Sequence, residues 1–426
     1  MRRHSWLLLS ILGIGAGGFA VCSCSSGQES PIAPPPLPTG GPPASQASSQ
    51  DWAKLTVPQR QLSLSAQRGA DWLKRASRSD GRFVYGFHTA LRQPMEGDDY
   101  LGQAGAALAL ARTARVFKDS QAAACAQHAL LTLFIDTAID PSAPEVRYPT
   151  LPAALVNRLG AAGLLAAAIY ELPDPGKDLA ADADRLCNYI RRVQQPDGSL
   201  KWADMPAAET APFFADGTSL FTGPALFAIA RSHGLRPADW KIDLLRKARS
   251  YYMAWWRAHK NPVFVAWHSA AYAEAYLSTK EQAFADAVTE LNDWLCTMQY
   301  QEVDPRRPLW KGGFMAWQDG KMATTPPTIQ TAAFAGSLVD AFRVVRQAAD
   351  VARLARYREA ADNALQFVTT LQYTEVNTRH FANWYKEEVL LGGFHASHQD
   401  GNLRLDYVHH AVAALAHYAE HVADAR

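Results

Sequence analysis

The sequence has almost no excess charge of either sign and few cysteines. Its 426 residues include 42 Lys and Arg against 41 Asp and Glu, which gives a formal net charge of +1. A chain this close to neutral lacks the basic surface that nucleic-acid binding requires, so we predict no nucleic-acid partner. Three of its five cysteines, Cys125, Cys187 and Cys296, lie in apolar helix-like stretches and form no C-x-x-C pair. We predict that these thiols are buried and unpaired.

Several motifs of known chemistry are also missing. The chain has no G-x-S-x-G nucleophile elbow, no P-loop and no H-E-x-x-H zinc motif, which argues against the enzyme classes that these motifs define. His395 and His398 precede His409 and His410 by a short interval. Adjacent histidines on a helix point in different directions, however, so this group is a poor zinc site. We therefore predict no metal and no cofactor.

The N-terminus has the pattern of an export signal. Arg2 and Arg3 precede an apolar run over residues 6–20 that is too short to span a membrane. Val21 and Ser23 then stand three and one residues before Cys24, which resembles the lipobox of bacterial lipoproteins. This resemblance implies a signal peptide over residues 1–23, lipidation of Cys24 and an outer-membrane lipoprotein of the cell envelope that faces the periplasm or the exterior. Residues 24–50, rich in Pro, Ser and Gly, are expected to form a disordered tether.

Strand-like alternation is scarce in residues 51–426, whereas apolar residues recur at helical spacing. Amphipathic stretches lie near residues 60–77, 120–138, 176–195, 239–259, 281–299 and 352–372. Stretches that are apolar nearly all round, rich in Ala and Gly, lie near residues 99–117, 157–171, 216–232, 267–279, 328–347 and 405–422. The two types alternate through six hairpins. This predicts one all-α domain over residues 51–426, an (α/α)6 toroid with the amphipathic helices outside and the small apolar helices inside.

The first and last inner helices begin alike. Residues 99–108 read DYLGQAGAAL and residues 406–415 read DYVHHAVAAL, with six of ten positions identical. Because the first and last hairpins of a closed ring are neighbours, we expect Asp99-Tyr100 and Asp406-Tyr407 to lie side by side. We call this expected junction the seam.

Turns with glycine and an aromatic residue link the hairpins. Gln195-Pro196-Asp197-Gly198-Ser199 with Trp202 resembles the Q-x-x-G-x-W motif of squalene cyclases and protein prenyltransferases, and residues 318–320 and 399–401 (both Gln-Asp-Gly) are weaker matches. The resemblance implies a structural motif that ties an outer helix to the next inner one. At the level of architecture the chain also resembles six-hairpin glycosidases, polysaccharide lyases and uronyl epimerases. The D-x-D-D proton donor of class II terpenoid cyclases is absent.

Polar residues at the starts of the inner helices are the candidate site, because these helix ends would converge on one funnel and favour anionic ligands. The candidate catalytic residues are Asp406, Asp99, His409, His410, Tyr407 and Tyr100. The candidate substrate-binding residues are Arg404, Asp98, Gln103, Arg158, Asp216, Trp267, His268 and Gln330. Carboxylates beside His and Tyr can transfer protons, and an Arg can hold a substrate carboxylate. The alternative is that Asp99 and Asp406 only cap their helices.

The leading functional hypothesis is a membrane-anchored enzyme that acts on a polysaccharide or uronic-acid-containing glycan by hydrolysis, β-elimination or epimerisation. Abundant tryptophans near the predicted loops would suit stacking on sugar rings. One alternative is a toroid that binds a glycan or protein without catalysis. Another is an isoprenoid- or lipid-binding toroid, which would need an apolar funnel. The sequence leaves these alternatives open.

Overall fold

The computed structural model describes residues 54–203 and 216–423, which contain twelve long helices in two concentric rings. The predicted signal peptide, Cys24 and the tether lie outside the described residues. The outer helices are α1 (Val57–Ala76), α3 (Ser120–Phe134), α5 (Gly176–Arg192), α7 (Asp239–Ala258), α9 (Gln282–Cys296) and α11 (Val351–Thr370). The inner helices are α2 (Tyr100–Phe117), α4 (Arg158–Glu171), α6 (Gly217–Leu235), α8 (Pro262–Thr279), α10 (Thr331–Gln347) and α12 (Leu405–His421). This arrangement confirms the predicted (α/α)6 toroid.

The inner ring is closed because each inner helix packs on the next and α12 packs on α2. Small residues make this close packing possible. A side chain at Gly163 of α4 would place its Cβ 2.6 Å from the backbone nitrogen of Ala225 in α6, so these two helices touch backbone to backbone. Outer helices bury only one face, as in α5, where Leu179, Leu186 and Ile190 point inward.

Short strands stand in the loops between the rings, which helical periodicity did not predict. They are β1 (Gly86–His88), β2 (Gln93–Pro94), β3 (Thr137–Asp140), β4 (Ala143–Pro149), β5 (Ala316–Gln318), β6 (Lys321–Ala323), β7 (His395–Ser397) and β8 (Asp400–Arg404). Most have too few residues for a period of two to be recognised in the sequence. A short helical turn (Asn383–Tyr385) and a π-helical turn (Lys386–Leu390) precede β7.

One small sheet joins the two ends of the ring. Its strand order is β2-β1-β8-β7, so that a strand before α2 pairs with the strand before α12. Gly86 is opposite Arg404 in the antiparallel pair, and the Leu405 amide donates to the Tyr85 carbonyl over 2.8 Å. The seam is therefore made both by helix packing and by strand pairing.

The glycine-containing turns tie outer helices to one another. The Gln372 side-chain amide donates to the carbonyls of Gly392 and Ser65, each over 3.0 Å, and so links the turn after α11 to α1. Gly392 has a φ of +86°, and a Cβ there would lie 2.2 Å from the Arg68 carbonyl oxygen. Gln299 makes the same pair of bonds to Gly312 and Ala360, and Gln194 to Gly198 and Leu244.

These ties extend the expectation drawn from the Q-x-x-G-x-W resemblance. The motif glutamines connect an outer helix to the next outer helix, while Trp202 lies against the next inner helix, with its ring centroid 6.2 Å from that of Phe221 in α6. The glutamine of this motif is Gln194 and not Gln195, because Gln194 is the residue whose side chain donates to Leu244 of α7.

The C-terminal ends of the inner helices carry a series of ion pairs that the hydrogen bond between His417 and Asp340 completes, and we call this series the charged belt. Its residues are Arg112 and Arg115 of α2, Glu171 of α4, Arg231 of α6, Glu274 of α8, Asp340 and Arg343 of α10, and His417 and Glu420 of α12. Every inner helix contributes at least one residue. Charged groups are expensive to bury unless they are paired, and here the pairing runs once around the ring.

The three cysteines are unpaired, as predicted. Cys187 and Cys296 are buried, but Cys125 is only half-buried. Among the described residues, none of the helices is both long and apolar enough to cross a membrane.

Candidate functional site

Asp99 caps the first inner helix and has an unusual environment for a carboxylate. Its Oδ1 accepts from the Leu101 amide over 3.2 Å at the start of α2. Burial, with a smaller contribution from the Asp406 charge, raises the pKa of Asp99 to about 6, against the opposing effects of the Gly102 amide and the Arg404 charge. The predicted cap is thus present. A hydrogen-bonded cap normally has a lowered pKa, whereas that of Asp99 is raised.

Arg404 and Asp406 form a two-point ion pair next to this cap. Arg404 Nε lies 2.9 Å from Asp406 Oδ1, and Nη2 lies 2.8 Å from Oδ2. The guanidinium carbon is 4.8 Å from the ring centroid of Tyr407 and 5.6 Å from that of Tyr85. Arg404 was predicted as a free clamp for a substrate carboxylate. In the structure its fork is occupied by Asp406, which it holds at the seam.

Tyr85 belongs to the same group of side chains and was missed from the sequence. It is buried, and burial raises the pKa of its hydroxyl to about 12, against the opposing charge of Arg404. Burial also raises the pKa of Tyr407. Tyr85 stands in a loop without helical periodicity, so no sequence signal relates it to Asp99. We call Tyr85, Asp99, Arg404, Asp406, Tyr407 and His410 the seam cluster.

The two adjacent histidines of α12 have different surroundings. His410 is half-buried, one helical turn after Asp406, and burial lowers its pKa while the Asp406 charge opposes the shift. His409 instead packs on α2, where a Cβ at Gly105 would lie 2.5 Å from its Cε1. Burial lowers the pKa of His409 well below the ordinary value. His409 is thus a packing residue, which corrects its predicted role as a proton carrier.

Two predicted site residues of α2 point away from the seam. The Tyr100 hydroxyl donates to the Leu133 carbonyl of α3 over 2.7 Å. Gln103 is 2% exposed; its amide oxygen accepts from the Phe83 nitrogen, and its amide nitrogen donates to the Phe83 carbonyl and to Asp98. Tyr100 was predicted as a catalytic residue and Gln103 as a substrate-binding residue. Both side chains instead form hydrogen bonds within the protein that hold helices and turns together.

Asp98 and Asp216 are polar residues at helix starts whose partners belong to the protein. Asp98 is exposed and pairs with Arg82 over 2.8 Å. Asp216 caps α6 through the Ser219 amide over 3.2 Å and accepts from the Asn261 side chain. Capping accounts for the position of Asp216, whereas the exposed carboxylate of Asp98 stays accessible beside Asp99.

The remaining candidates of the inner ring differ in accessibility. Trp267 is half-buried and lies 5.6 Å from the Phe227 ring. His268 is 0% exposed and stacks on Phe264 at 3.5 Å between ring centroids, and burial lowers its pKa to about 3. A substrate cannot contact a fully buried imidazole, so the predicted binding role of His268 is wrong. Gln330 is exposed at the start of α10.

A second polar site lies beside the start of α4. A cavity of about 340 Å³ is lined by Asp140, Tyr148, Arg158, Tyr189, Arg192, Val193 and Lys201. We call it the basic pocket, because it has three cationic side chains against one carboxylate, and Asp140 is paired with Arg192. Of its residues only Arg158 was predicted. The others come from β3, β4, α5 and the turn after α5, which are brought together only by folding.

The histidine group considered in the sequence is not assembled. His395 faces its own strand, with Nδ1 2.8 Å from the Ser397 carbonyl oxygen, and His409 is packed against α2. Within the described residues, the one group of His, Cys, Asp and Glu whose ligand atoms lie close enough to share a metal is His417, Glu420 and His421. It stands at the opposite end of α12 from the seam.

Comparison with known proteins identifies the fold through solved structures. No family model matches the chain, and no curated protein matches its sequence. Solved structures do match it. An unsaturated glucuronyl hydrolase specific for heparin superposes with a TM-score of 0.56 at 13% identity and covers 84% of this chain and 97% of that one. The fold is that of the six-hairpin toroids.

Two further solved structures have the same architecture. An inactive variant of the GH76A α-1,6-mannanase of Salegentibacter sp. HEL1_6, in complex with α-1,6-mannotriose, has a TM-score of 0.55 at 10% identity and covers 84% of this chain and 99% of that one. The polysaccharide lyase BACCELL_00875 has a TM-score of 0.53 at 11% identity and covers 83% of this chain and 52% of that one. At these identities the likeness establishes the fold, and the function must be argued from the site.

Proposed function

We propose that this protein is an enzyme that cleaves a uronic-acid-containing glycan at the seam, with Asp99 as the proton donor. The observation that carries the proposal is the pKa of Asp99, raised to about 6 by burial and by the neighbouring Asp406. A glycosidic oxygen needs an acid that keeps its proton near neutral pH, and a second carboxylate that stays charged. Asp406, in its ion pair with Arg404, is the second carboxylate.

The other members of the seam cluster have supporting roles in this proposal. Arg404 orients Asp406 through its two-point ion pair. His410 lies one turn from Asp406 and, with its lowered pKa, is a neutral imidazole that accepts or returns a proton. Tyr407 and Tyr85 enclose the ion pair with their rings. Such aromatic walls strengthen electrostatic interactions by excluding water.

The basic pocket supports an anionic substrate. Arg158 and Lys201 lie in a cavity with the rings of Tyr148 and Tyr189. Cationic groups bind carboxylates, and tyrosine rings pack on sugar faces. Both the pocket and the seam cluster lie where inner helices begin, on α4 and α2 respectively. A chain of uronic acids reaching from one to the other would use both.

The structural neighbours support the substrate class without fixing it. They act on heparin-derived and mannan-type glycans according to their names. The inactive mannanase variant has two consecutive aspartates replaced by asparagine, and Asp98-Asp99 is the single consecutive aspartate pair of this chain. The paired charges of the seam cluster argue against a lipid or isoprenoid ligand, which would require an apolar lining.

The test is to assay the purified protein on a panel of uronic-acid-containing and neutral glycans, with Asp99→Asn and Asp406→Asn variants. We expect new reducing ends from the wild type and a loss of about 100-fold or more in both variants. The matched control is Asp350→Asn, which replaces the aspartate cap of the outer helix α11 and should retain activity.

Other outcomes separate the alternatives. Unsaturated uronates among the products would replace hydrolysis by β-elimination, and inverted uronates would indicate epimerisation. Glycan binding without any product would identify a binding toroid. Full activity in Asp99→Asn would remove Asp99 from the mechanism.

We also propose that the protein is exported and anchored to the outer membrane through a lipid on Cys24. The support is the lipobox-like Val21-Cys22-Ser23-Cys24 and the Pro-rich stretch that follows it. In a Gram-negative host, the Cys24→Ala variant should leave the membrane fraction, whereas Cys22→Ala should stay there. Membrane association that survives Cys24→Ala would contradict the anchor.

A further inference from the structure

We propose that His417, Glu420 and His421 form a binding site for one zinc-class divalent ion at the C-terminal end of α12. The ligand atoms that these three side chains offer all lie within 4.8 Å of one another. Their spacing of three and four residues places them on one face of the helix. Two imidazoles and a carboxylate are ligands that Zn²⁺ prefers.

The orientation of His417 is the second, independent observation. Its Nε2 lies 2.8 Å from Asp340 Oδ1, whereas its Nδ1 is buried without a hydrogen-bond partner. A buried polar atom without a partner is rare in a folded protein. Metal-binding histidines characteristically use one nitrogen for the metal and donate from the other to a carboxylate. Asp340 already fills the second position, and Nδ1 is left for an ion.

His421 completes the nitrogen set. Its ring centroid lies 4.8 Å from that of His417, with the two rings nearly perpendicular, and its Nε2 lies 3.3 Å from Glu420 Oε2. Ligand atoms around a tetrahedral zinc stand about 3.3 Å apart. Closing the site therefore requires side-chain shifts on the order of 1 Å from the present positions.

The charged belt limits the affinity without preventing binding. Glu420 is held by Arg115, but Arg115 also bonds Glu171 through Nε at 3.1 Å and Nη2 at 2.7 Å. Arg115 thus keeps a partner if a Glu420 oxygen turns to a metal. The belt pairs four carboxylates with four guanidinium groups, so an ion adds positive charge to a balanced network. We expect micromolar binding, weaker than that of four-ligand structural zinc sites.

The site would stabilise the fold and would not take part in catalysis. It lies at the C-terminal end of α12, whereas the seam cluster lies at the N-terminal end of the same helix. An ion there would join the last turn of α12 to the belt residue Asp340 of α10 through His417. The inference is therefore independent of the proposed function at the seam.

The experiment is a Zn²⁺ and Co²⁺ titration of the full-length protein after removal of metal with a chelator. We expect one ion per chain, a visible Co²⁺ absorption typical of nitrogen and oxygen ligands at low coordination number, and a Tm that rises with Zn²⁺ concentration. His421→Ala and Glu420→Gln should abolish the Co²⁺ band and the Zn²⁺-dependent rise in Tm. The matched control is His128→Ala, which removes an exposed histidine of α3 and should change neither.

The readout is the change that Zn²⁺ causes in each variant, because Glu420→Gln weakens the belt even without metal. His421→Ala leaves the pair between Arg115 and Glu420 intact and serves as the second variant. Absence of a Co²⁺ band in the wild type would overturn the proposal. An unchanged band in both His421→Ala and Glu420→Gln would overturn it as well, since the ion would then bind elsewhere.

Discussion

The pKa of a carboxylate shifts in opposite directions at the two ends of the inner ring. At the C-terminal end, burial by itself would raise the pKa of Glu171, but the charges of Arg112, Arg231 and Arg115 outweigh it and lower the pKa. At the N-terminal end, burial raises the pKa of Asp99 to about 6, and the one nearby guanidinium does not reverse the shift. The number and engagement of cationic neighbours decide the direction.

We call the C-terminal end of the inner ring, with the charged belt, the stabilising end. The N-terminal end, with the seam cluster, is the reactive end. Three guanidinium groups around Glu171 lower its pKa, so its carboxylate stays charged near neutral pH. Asp99 shares its surroundings with Asp406, and Arg404 is occupied by that second carboxylate. Perturbed carboxyl groups of this kind collect at functional sites. The comparison is therefore the basis for placing chemistry at the seam and stability at the belt.

The largest expected effect comes from Glu171→Gln. Removing a 3% exposed carboxylate side chain that pairs with Arg112 and Arg115 should lower the free energy of unfolding by about 3–5 kcal/mol, measured in urea at pH 7. The pKa of Glu171 is lowered from its ordinary value of 4.5. Its contribution is therefore complete above that pH and is lost as the pH falls through the lowered value.

The control for this prediction is Glu290→Gln, which breaks the exposed pair with Arg257 and should change stability by less than about 1 kcal/mol. Equal effects of the two substitutions would remove the special status of the belt. A gap between wild type and Glu171→Gln that grows on acidification would contradict the sign of the Glu171 pKa shift.

The second prediction concerns the glycine-containing turn after α11. The substitution changes this turn and leaves the carboxylates of the seam cluster in place. Gly392→Ala adds a Cβ 2.2 Å from the Arg68 carbonyl oxygen at a φ of +86°. The strained backbone alone should reduce stability by about 1–3 kcal/mol, and the backbone clash adds to this. Thermal unfolding measures the loss.

Gly320→Ala is the matched comparison, because its φ is +75° and nothing lies within 4 Å of the added Cβ. It should lower stability by the backbone strain alone, about 1–3 kcal/mol, without the added clash. If both variants unfold at the same temperature, the close contact between the turn after α11 and α1 does not contribute to stability.

The third prediction concerns Asp99→Asn. Since the folded-state pKa of Asp99 lies above its ordinary 3.8, at about 6, the wild type loses stability as the pH rises from 4 through 6. Asparagine caps helices as well and carries no charge. The variant should therefore gain on the order of 1–3 kcal/mol relative to wild type between pH 4 and pH 7, while losing activity.

Paired unfolding curves at the two pH values measure this gain. A residue that only caps its helix would lose stability or stay neutral on substitution and would leave activity unchanged. Asp350→Asn, at the ordinary cap of α11, provides that reference. A pH-independent stability difference for Asp99→Asn would mean that folding does not change the pKa of Asp99.

The smallest expected effect is on the pH profile of Arg404→Met. The Arg404 charge opposes the raised pKa of Asp99, so its removal should raise that pKa further. Activity that needs protonated Asp99 falls as the pH rises through the pKa, and this alkaline limb should move to higher pH by about 1 unit or less. The profile of kcat/KM measures the shift. A limb that moves to lower pH would contradict the assignment of Asp99 as the acid.

The helix types could be predicted from the sequence with little ambiguity. One wet face per outer helix and nearly uniform small apolar residues in inner helices follow from the 3.6-residue period, and this periodicity decides which ring a helix joins. The likeness of residues 99–108 to residues 406–415 also placed the seam, because the closed ring makes its first and last inner helices neighbours.

Side-chain direction at the seam could not be predicted. Asp99 and Tyr100 are consecutive, yet the Asp99 carboxylate caps its own helix within the field of Asp406, whereas Tyr100 bonds to α3. His409 and His410 are consecutive as well, and only the packing of His409 on Gly105 selects His410 for the seam cluster. The helical period fixes the angle between consecutive side chains around the helix axis. It does not say which of those side chains points toward the neighbouring helix.

The sequence by itself determined the ring, its two helix types and the residues at its closing junction, because these depend on local periodicity and on chain order. Only the tertiary structure decided that the pKa of Asp99 is raised and that of Glu171 is lowered. That difference depends on burial and on how many charges from other helices reach each carboxylate. Such distances are set by packing across the ring and are not encoded in any one segment.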